Sequence, residues 1–329
     1  MSFAAFFGFP DQLARVYAQG RREKLQARLD FYPHPISAAN FDAHAPHLRE
    51  LELIFSTWGM PQLSETQLEA LPQLKAVFYA AGSVQPFARS FLRRGISVVS
   101  AWAANGVPVA QWTLAQILLA NKGFFRNTRE FVGPQTSKTA FAGRGNFGAS
   151  VSLLGAGAVG RMVIELLRPF QLQVGVFDPF LELDEAAKLG VRKVELMEAF
   201  ERGAVVSNHL ADLPATVGML RGEHFRAMPT NATFINTGRG ATVRQEELIE
   251  VLHLRPDLSA LLDVTDPEPP RADSPLWTMP NVVLTSHIAG SIGDEVVRMA
   301  DVVIEEFESW QAAKPLRFSV NLEMLETMA

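Results

Sequence analysis

Short apolar runs alternate along the chain with longer stretches in which apolar residues recur every three or four positions. The short runs predict buried β-strands, and the periodic stretches predict amphipathic helices. In the first third of the chain the predicted strands cover residues 4–9, 29–32, 51–56, 76–79 and 96–99. Later strands are predicted at 151–154, 174–177, 205–208, 233–236, 261–264 and 282–285. Strands that alternate with helices form parallel sheets with crossover helices, which predicts an α/β protein.

The pattern is interrupted between the two sets of strands, and this predicts the domain organisation. Residues 107–120 form one long predicted helix with Pro108 near its first turn, and the Gly-, Ser- and Thr-rich residues 133–150 predict a loop. An amphipathic stretch at 294–312 predicts the final helix. For a chain of 329 residues we expect two domains. One is discontinuous, at 1–103 and 291–329, and the other covers 104–290.

Composition excludes several classes of protein. The formal net charge of −5 disfavours nucleic acid and anionic membranes as partners. The chain has no cysteine, which excludes disulfides and thiolate metal sites and fits a reducing cytoplasm. No run approaches the ~18 apolar residues of a membrane span, and the apolar N-terminus lacks the basic start of a signal peptide. We expect a cytoplasmic protein without a metal site.

A glycine-rich turn follows the strand predicted at 151–154. The turn has G-x-G-x-x-G spacing and reads Gly155-Ala156-Gly157-Ala158-Val159-Gly160. An apolar strand before it and a helix-compatible run after it are the context in which this spacing binds a dinucleotide. The first glycine permits the tight turn, the second lets backbone approach the pyrophosphate, and the third lets helix pack on strand. The helix N-terminus then offers N–H groups and a positive dipole end to the phosphates.

The strand predicted at 174–177 ends next to Asp178, 178 − 160 = 18 residues beyond the last glycine. This is close to the ~20 residues expected for a carboxylate that binds the ribose hydroxyls. Such a carboxylate repels the 2′-phosphate of NADP, and the following Pro179 and Phe180 provide no cation for it. The sequence therefore predicts NAD as the cofactor.

Three polar residues follow late predicted strands, where open α/β sheets collect their ligands. Arg239 lies in a Gly-flanked turn, Glu268 in a Pro-rich segment and His287 directly after a strand. An arginine suits a carboxylate ligand, and a histidine suits proton transfer near neutral pH. Each also has a simpler interpretation: a surface turn for Arg239, an exposed carboxylate for Glu268 and a strand cap for His287. Their shared position favours one common site.

Three late motifs, together with the glycine turn, resemble a known family. They are N-x-x-R-G at 236–240, D-V-x-x-x-E-P at 263–269 and H-I-A-G at 287–290. On these residues the chain is similar to the D-isomer-specific 2-hydroxyacid dehydrogenases, which include glyoxylate/hydroxypyruvate reductases and phosphoglycerate dehydrogenases. The resemblance implies that Arg239 binds the substrate carboxylate, that His287 is the proton donor and that Glu268 pairs with His287.

The resemblance implies two further groups of contacts. Residues implied to touch the cofactor, besides the glycine turn and Asp178, are His209, Thr237, Gly238 and Asp263, of which Asp263 would hold the nicotinamide carboxamide. Residues implied to touch the substrate, besides Arg239, are Ala81, Gly82 and Ser83 through their backbone, and Trp58 over the substrate side chain. For Trp58, a place in the core or between domains is an open alternative.

The resemblance also implies a fold and an activity. The fold is a Rossmann NAD-binding domain inserted in a flavodoxin-like substrate-binding domain, both doubly wound parallel sheets. The activity is the NAD-dependent interconversion of a 2-keto acid and a D-2-hydroxy acid, in a homodimer formed through the cofactor domain. One alternative is an NAD(H)-sensing protein without turnover, which would be expected to have a broken triad. Another is a formate-dehydrogenase-like enzyme, which has glutamine where this chain has Glu268. The side chain of the keto acid is left open.

Overall fold

The predicted strands form two separate sheets. The computed structural model describes residues 1–328, with strands β1 Phe3–Phe7, β2 Asp30–Phe31, β3 Leu53–Ser56, β4 Ala76–Tyr79, β5 Ser97–Ser100, β6 Ser150–Leu154, β7 Gln173–Phe177, β8 Arg192–Lys193, β9 Val205–Asn208, β10 Thr233–Asn236, β11 Ser259–Leu262, β12 Val282–Leu284 and β13 Ser319–Val320. The helices are α1 Pro10–Val16, α2 Arg21–Gln26, α3 Phe41–His44, α4 Glu65–Glu69, α5 Ala88–Arg93, α6 Trp102–Asn121, α7 Phe124–Glu130, α8 Ala158–Leu167, α9 Leu183–Leu189, α10 Leu196–Arg202, α11 Gly222–Ala227, α12 Gln245–Leu254 and α13 Val297–Gln311.

Two compact units contain these sheets. The first consists of Met1–Gly106 and the C-terminal segment from Ser291, and the second is Val107–Gly290. The first sheet has the order β13-β5-β4-β3-β1-β2 and is parallel except for β13. Its order β2-β1-β3-β4-β5 is that of flavodoxin-like folds. The second sheet, β12-β11-β10-β9-β6-β7-β8, is parallel throughout and contains the Rossmann order. The prediction of two parallel-sheet α/β domains is confirmed.

Each unit has its own apolar core. In the first, the stacked rings of Phe55 and Phe78 have centroids 5.2 Å apart, and Phe307 of α13 meets both rings edge-on. In the second, Phe225 packs edge-on against Phe234 of β10, with centroids 5.0 Å apart. These aromatic contacts fix helices on the sheet faces and leave the strand ends to the loops that carry polar residues.

The observed elements differ from the predicted ones at several places. The long helix α6 begins at Trp102, five residues earlier than predicted, so Pro108 lies inside it. Strand β11 ends at Leu262, two residues earlier than predicted, and places Asp263 in the following loop. The short elements α7, β8 and β13 were not predicted. Two-residue strands such as β8 and β13 are too short to show a periodic pattern.

The register of the second sheet aligns the ends of four strands. Leu154 pairs with Asn208, Asn208 with Asn236, and Asn236 with Leu262. Because these strands are parallel, the residues that follow them meet at one edge of the sheet. Between residues 1 and 328, no helix is long and apolar enough to cross a membrane. That described part of the chain also contains no group of three or more metal-ligating side chains that could hold an ion.

Candidate active site

The glycine turn lies between β6 and α8 at the carboxyl edge of the second sheet. A Cβ atom on Gly160 would lie 2.1 Å from the carbonyl oxygen of Gly155, so the helix reaches the turn only because residue 160 has no side chain. A Cβ atom on Gly157 would meet no atom within 4 Å, so the turn borders open space. No side chain caps the N-terminus of helix α8, so the first N–H groups of the helix are free at the glycine turn. The turn fits a dinucleotide pyrophosphate.

Asp178 directly follows β7 and lies against the glycine turn. Its Oδ2 accepts a hydrogen bond from Ala156 N at 2.7 Å, and its Oδ1 accepts one from Phe180 N at 2.8 Å. Each oxygen keeps a lone pair for a ribose hydroxyl. The nearby Arg161, which no sequence pattern marks as a site residue, donates from Nε to Ala156 O at 2.7 Å. Its Nη1 pairs with Glu185 at 2.7 Å, so the local cation is already balanced.

His287 and Glu268 are brought together by two neighbouring loops. His287 Nδ1 lies 2.7 Å from Glu268 Oε1, and both side chains are partly exposed. A carboxylate only accepts, so the shared hydrogen belongs to Nδ1 and Nε2 is the ring atom that can exchange a proton. His287 adopts φ +58°, in the left-handed region, which is uncommon for residues other than glycine although histidine tolerates it better than most. Such a conformation persists only where the surroundings impose it.

The buried carboxylate of Asp263 imposes this conformation on the histidine loop. Its Oδ1 accepts hydrogen bonds from Thr285 Oγ1 at 2.6 Å and Ile288 N at 2.8 Å. Its Oδ2 accepts one from Ala289 N at 3.0 Å. These three donors flank His287 on both sides, so Asp263 holds the loop that presents the imidazole. Thr285 is a site residue that the sequence analysis missed, because it gives no signal apart from its place after a strand.

Arg239 lies in a turn held by buried polar side chains. Thr242 Oγ1 donates to Arg239 O at 2.8 Å, and Asn208 Nδ2 donates to both Thr242 Oγ1 and Asn236 Oδ1 at 2.9 Å. Within residues 1–328, the Arg239 guanidinium makes an internal hydrogen bond only to Gly238 O, at 2.8 Å, and none to a carboxylate. It is therefore available to an anion.

Gly240, the residue after Arg239, packs on the backbone of the segment that leads to Glu268. A Cβ atom at residue 240 would lie 2.0 Å from the carbonyl carbon and oxygen of Thr265. The turn that carries Arg239 and the loop that carries Glu268 are thus in direct backbone contact.

His209 lies beside the glycine turn, at the end of β9. Its backbone N–H donates to Leu154 O at 2.8 Å. Its ring nitrogens lie 3.0 Å from Ser207 Oγ and 3.2 Å from Thr237 Oγ1. Burial lowers the pKa of His209 to about 4, so the ring is neutral at physiological pH. Both ring nitrogens are within hydrogen-bonding distance of a protein hydroxyl group.

The other predicted substrate contacts lie in the first unit. Ser100 Oγ lies 3.0 Å from Ala81 O and 2.6 Å from Gly82 O, within hydrogen-bonding distance of both carbonyls. The N–H groups of Gly82 and Ser83 donate to no residue between 1 and 328. Unpaired N–H groups at the end of a strand suit an anionic oxygen. Trp58 is partly buried and packs on the core of the first unit.

Comparison with known proteins identifies several that are similar to this chain. Residues 114–289, more than half of the chain, match the family model described as D-isomer specific 2-hydroxyacid dehydrogenase, NAD binding domain. The D-3-phosphoglycerate dehydrogenase of Archaeoglobus fulgidus is 28% identical over 234 residues, which are 71% of this chain and 44% of that protein. The (S)-sulfolactate dehydrogenase of Chromohalobacter salexigens is 30% identical over 211 residues, which are 64% of this chain and 68% of that protein. The match thus spans less than half the length of the Archaeoglobus protein.

A solved structure resembles the whole chain. The apo form of D-mandelate dehydrogenase from Rhodotorula graminis has a TM-score of 0.81 and 19% identity, with 97% of each chain covered. At that identity the likeness shows a shared fold.

Proposed function

Because the chain belongs to the D-isomer specific 2-hydroxyacid dehydrogenases, we propose that it interconverts a small 2-keto acid and a D-2-hydroxy acid with NAD. The observation that carries this proposal is the His287–Glu268 pair, 2.7 Å apart, beside the loop of an unpaired Arg239. The names of the relatives, which include hydroxy-acid dehydrogenases for phosphoglycerate and sulfolactate, support the reaction class.

Arg239 would anchor the substrate carboxylate. A guanidinium offers a rigid fork that matches the two oxygens of a carboxylate, and it stays charged at every physiological pH. The open N–H groups of Gly82 and Ser83 are the second proposed contact with this carboxylate. Trp58 would contact the rest of the substrate.

His287 and Glu268 would move the proton. In the reduction direction the Nε2 of protonated His287 donates to the carbonyl oxygen of the keto acid as it becomes a hydroxyl. The Glu268 carboxylate would accept the Nδ1 hydrogen and so fix the tautomer and orientation of the ring. In the oxidation direction the same nitrogen accepts the hydroxyl proton, so one residue works as acid and base.

The second unit would position the cofactor for this reaction. Bound NADH supplies the hydride that adds to the carbonyl carbon. The Gly155–Gly160 turn would hold the pyrophosphate, and the Asp178 oxygens would accept from the ribose hydroxyls. The Asp178 carboxylate would repel the 2′-phosphate of NADP, which favours NAD. His209, Thr237, Gly238 and Asp263 are the residues proposed to lie near the nicotinamide side.

The proposal is tested by measuring NADH oxidation against a panel of 2-keto acids, with chiral analysis of the product. We expect NADH-dependent formation of the D-isomer with at least one acid, and much weaker turnover with NADPH. Tight NADH binding with no oxidation of any acid would instead support a cofactor-sensing protein.

We also propose a homodimer formed through the second unit. Helix α6 contains no charged residue, and its last turn together with the segment after it exposes a series of large apolar side chains. They are Leu119, Phe124, Phe131, Val132 and Phe147. Exposed apolar patches of this kind mark association surfaces. Size-exclusion chromatography with light scattering, over a wide concentration range, should give twice the chain mass. Phe131→Asp should shift the distribution toward monomer. We further propose a cytoplasmic location, because the absence of cysteine suits a reducing compartment.

A further inference from the structure

Three apolar side chains lie on the loops at the carboxyl edge of the first sheet. Phe9 follows β1, and Trp58 and Met60 follow the neighbouring strand β3. Phe9 N donates to Trp58 O at 3.2 Å, and the Phe9 ring lies against the backbone of Gly59. Trp58 and Met60 are partly buried on the core, whereas Phe9 is 58% exposed. We call Phe9, Trp58 and Met60 the apolar rim.

The apolar rim is fixed beside the loop that offers free N–H groups. Thr57 Oγ1 donates to Ala80 O at 2.8 Å, which joins the loop after β3 to the loop after β4. Strands β3 and β4 are paired neighbours, so both loops leave the sheet at the same edge. The apolar rim therefore lies on the same sheet edge as Gly82 and Ser83, the proposed backbone contacts of the substrate carboxylate.

The segments that follow four strands of this sheet carry no positive charge. Residues 8–12, 57–64, 80–87 and 101–106, which follow β1, β3, β4 and β5 and include the first residues of α1 and α6, contain no Lys or Arg. The one ionised side chain among them is Asp11. A phosphate or second carboxylate placed here would lose its water without gaining a cation, which is unfavourable. An uncharged apolar group would instead bury its surface against the apolar rim.

We propose that the substrate is a 2-keto acid with an uncharged, branched aliphatic or aromatic side chain, and that the apolar rim selects it. This inference rests on the proposed reductase activity and adds the substrate class to it. Hydrophobic pockets discriminate by about 10-fold to 200-fold for one methylene group. A four-carbon branched side chain should therefore raise kcat/KM by roughly 100-fold or more over a substrate with no side chain.

The test compares kcat/KM for four acids with NADH as the reductant: glyoxylate, 4-methyl-2-oxopentanoate, phenylpyruvate and 3-phosphohydroxypyruvate. Glyoxylate has no side chain and reports the chemistry alone. We expect the branched or the aromatic acid to exceed glyoxylate by the factor given above, and the phosphorylated acid not to exceed it. A preference for the phosphorylated acid, or for glyoxylate itself, overturns the inference while the proposed function stands. Failure to reduce any of the four overturns the proposed function as well.

Substitutions in the apolar rim test whether its side chains cause the substrate selectivity. Trp58→Ala and Phe9→Ala should each lower the ratio of kcat/KM for 4-methyl-2-oxopentanoate over glyoxylate by about 10-fold or more. Trp58→Phe should restore most of that ratio, because a large apolar ring remains. Leu254→Ala, which truncates an exposed apolar residue of α12, is the matched control and should leave both substrates unchanged. Equal losses for both substrates in the two rim variants would show that the rim only supports the fold, and would overturn the assignment. The melting temperature is recorded for every variant.

Discussion

The Oε1 atom of Glu268 lies 2.7 Å from Nδ1 of His287, although 19 residues separate the two in sequence. The other ring nitrogen of His287, Nε2, has no hydrogen-bond partner in the described part of the chain. The protein therefore fixes the hydrogen bond of Nδ1, and Nε2 is open to a ligand. This division suits a residue that transfers protons.

Replacement of His287 by alanine should remove the proton donor and leave the cofactor site intact. Loss of a positioned acid/base typically costs ~10²–10⁴ in rate. We expect kcat for 2-keto acid reduction to fall within that range, with the Kd for NADH nearly unchanged by fluorescence titration. His253→Ala, at an exposed position on α12, is the control. Near-wild-type turnover of His287→Ala would refute the assignment.

Glu268→Gln should slow the same step, because the amide keeps the shape of the side chain but not its negative charge. The two residues act as one unit, so their effects should not add. The double variant with His287→Ala should be no slower than His287→Ala alone. Glu250→Gln, an exposed carboxylate of α12, serves as the control. Additive losses in the double variant would mean that Glu268 acts separately from the histidine.

Arg239→Lys keeps the positive charge but loses the bidentate fork. A hydrogen bond to a charged group contributes about 1.5–3 kcal/mol. Loss of one such bond should raise the KM for the keto acid by roughly 10-fold to 100-fold. The Kd for NADH should not change. Arg168→Lys, on the surface of the second unit, provides the comparison. An unchanged KM in Arg239→Lys would place the substrate carboxylate elsewhere.

Asp263→Asn should loosen the histidine loop. An amide cannot accept from all three donors, so at least one buried donor is left unpaired, at a cost of about 1–3 kcal/mol in the free energy of unfolding. Thr285→Val removes a single donor and should cost less. Hydrogen exchange at the Ile288 and Ala289 amides reports the loop directly and needs no bound cofactor. Full protection of both amides in Asp263→Asn would show that the loop is held by other contacts.

The neutral state of His209 predicts a pH dependence of stability. Burial lowers its pKa from 6.5 to about 4, so between these values the unfolded chain binds a proton that the native protein does not. The free energy of unfolding should therefore fall as the pH drops from 6.5 to 4, by at most about 3 kcal/mol from this residue. Urea titrations should show a flatter profile for His209→Gln than for the wild type across that window. The exposed His253→Gln should follow the wild-type profile, and parallel profiles for all three proteins would contradict the prediction.

Apolar periodicity was sufficient to predict the sheets, because most strands are fully buried runs bounded by turn residues. It failed where packing overrides local preference. Helix α6 continues through Asn105, Gly106 and Pro108, which are poor helix formers and would have marked a helix start in isolation. Tertiary contacts also explain why the two-residue strand β13 exists, since it pairs with β5 far from it in sequence.

In the candidate site, too, some features follow from the sequence and others do not. The positions of Asp178, Arg239 and His287 after strands follow from the sequence, because parallel strands bring their carboxyl ends together. The three donors that converge on Asp263 do not follow from it. They depend on the left-handed backbone of His287, and no pattern of residue types specifies that conformation in a loop. The contacts within a site require the loop conformations that strand patterns leave open.

The contact between Gly240 and the Thr265 carbonyl has an evolutionary consequence. It joins the turn of Arg239, the proposed anchor of the carboxylate, to the loop of Glu268 in the proposed proton-transfer pair, so a shift in one would displace the other. A lineage that acquires a new substrate therefore cannot easily do so by moving Arg239. It would retain this joined turn and loop and vary the loops of the first unit, where residues such as Phe9 and Trp58 can be exchanged without disturbing the chemistry.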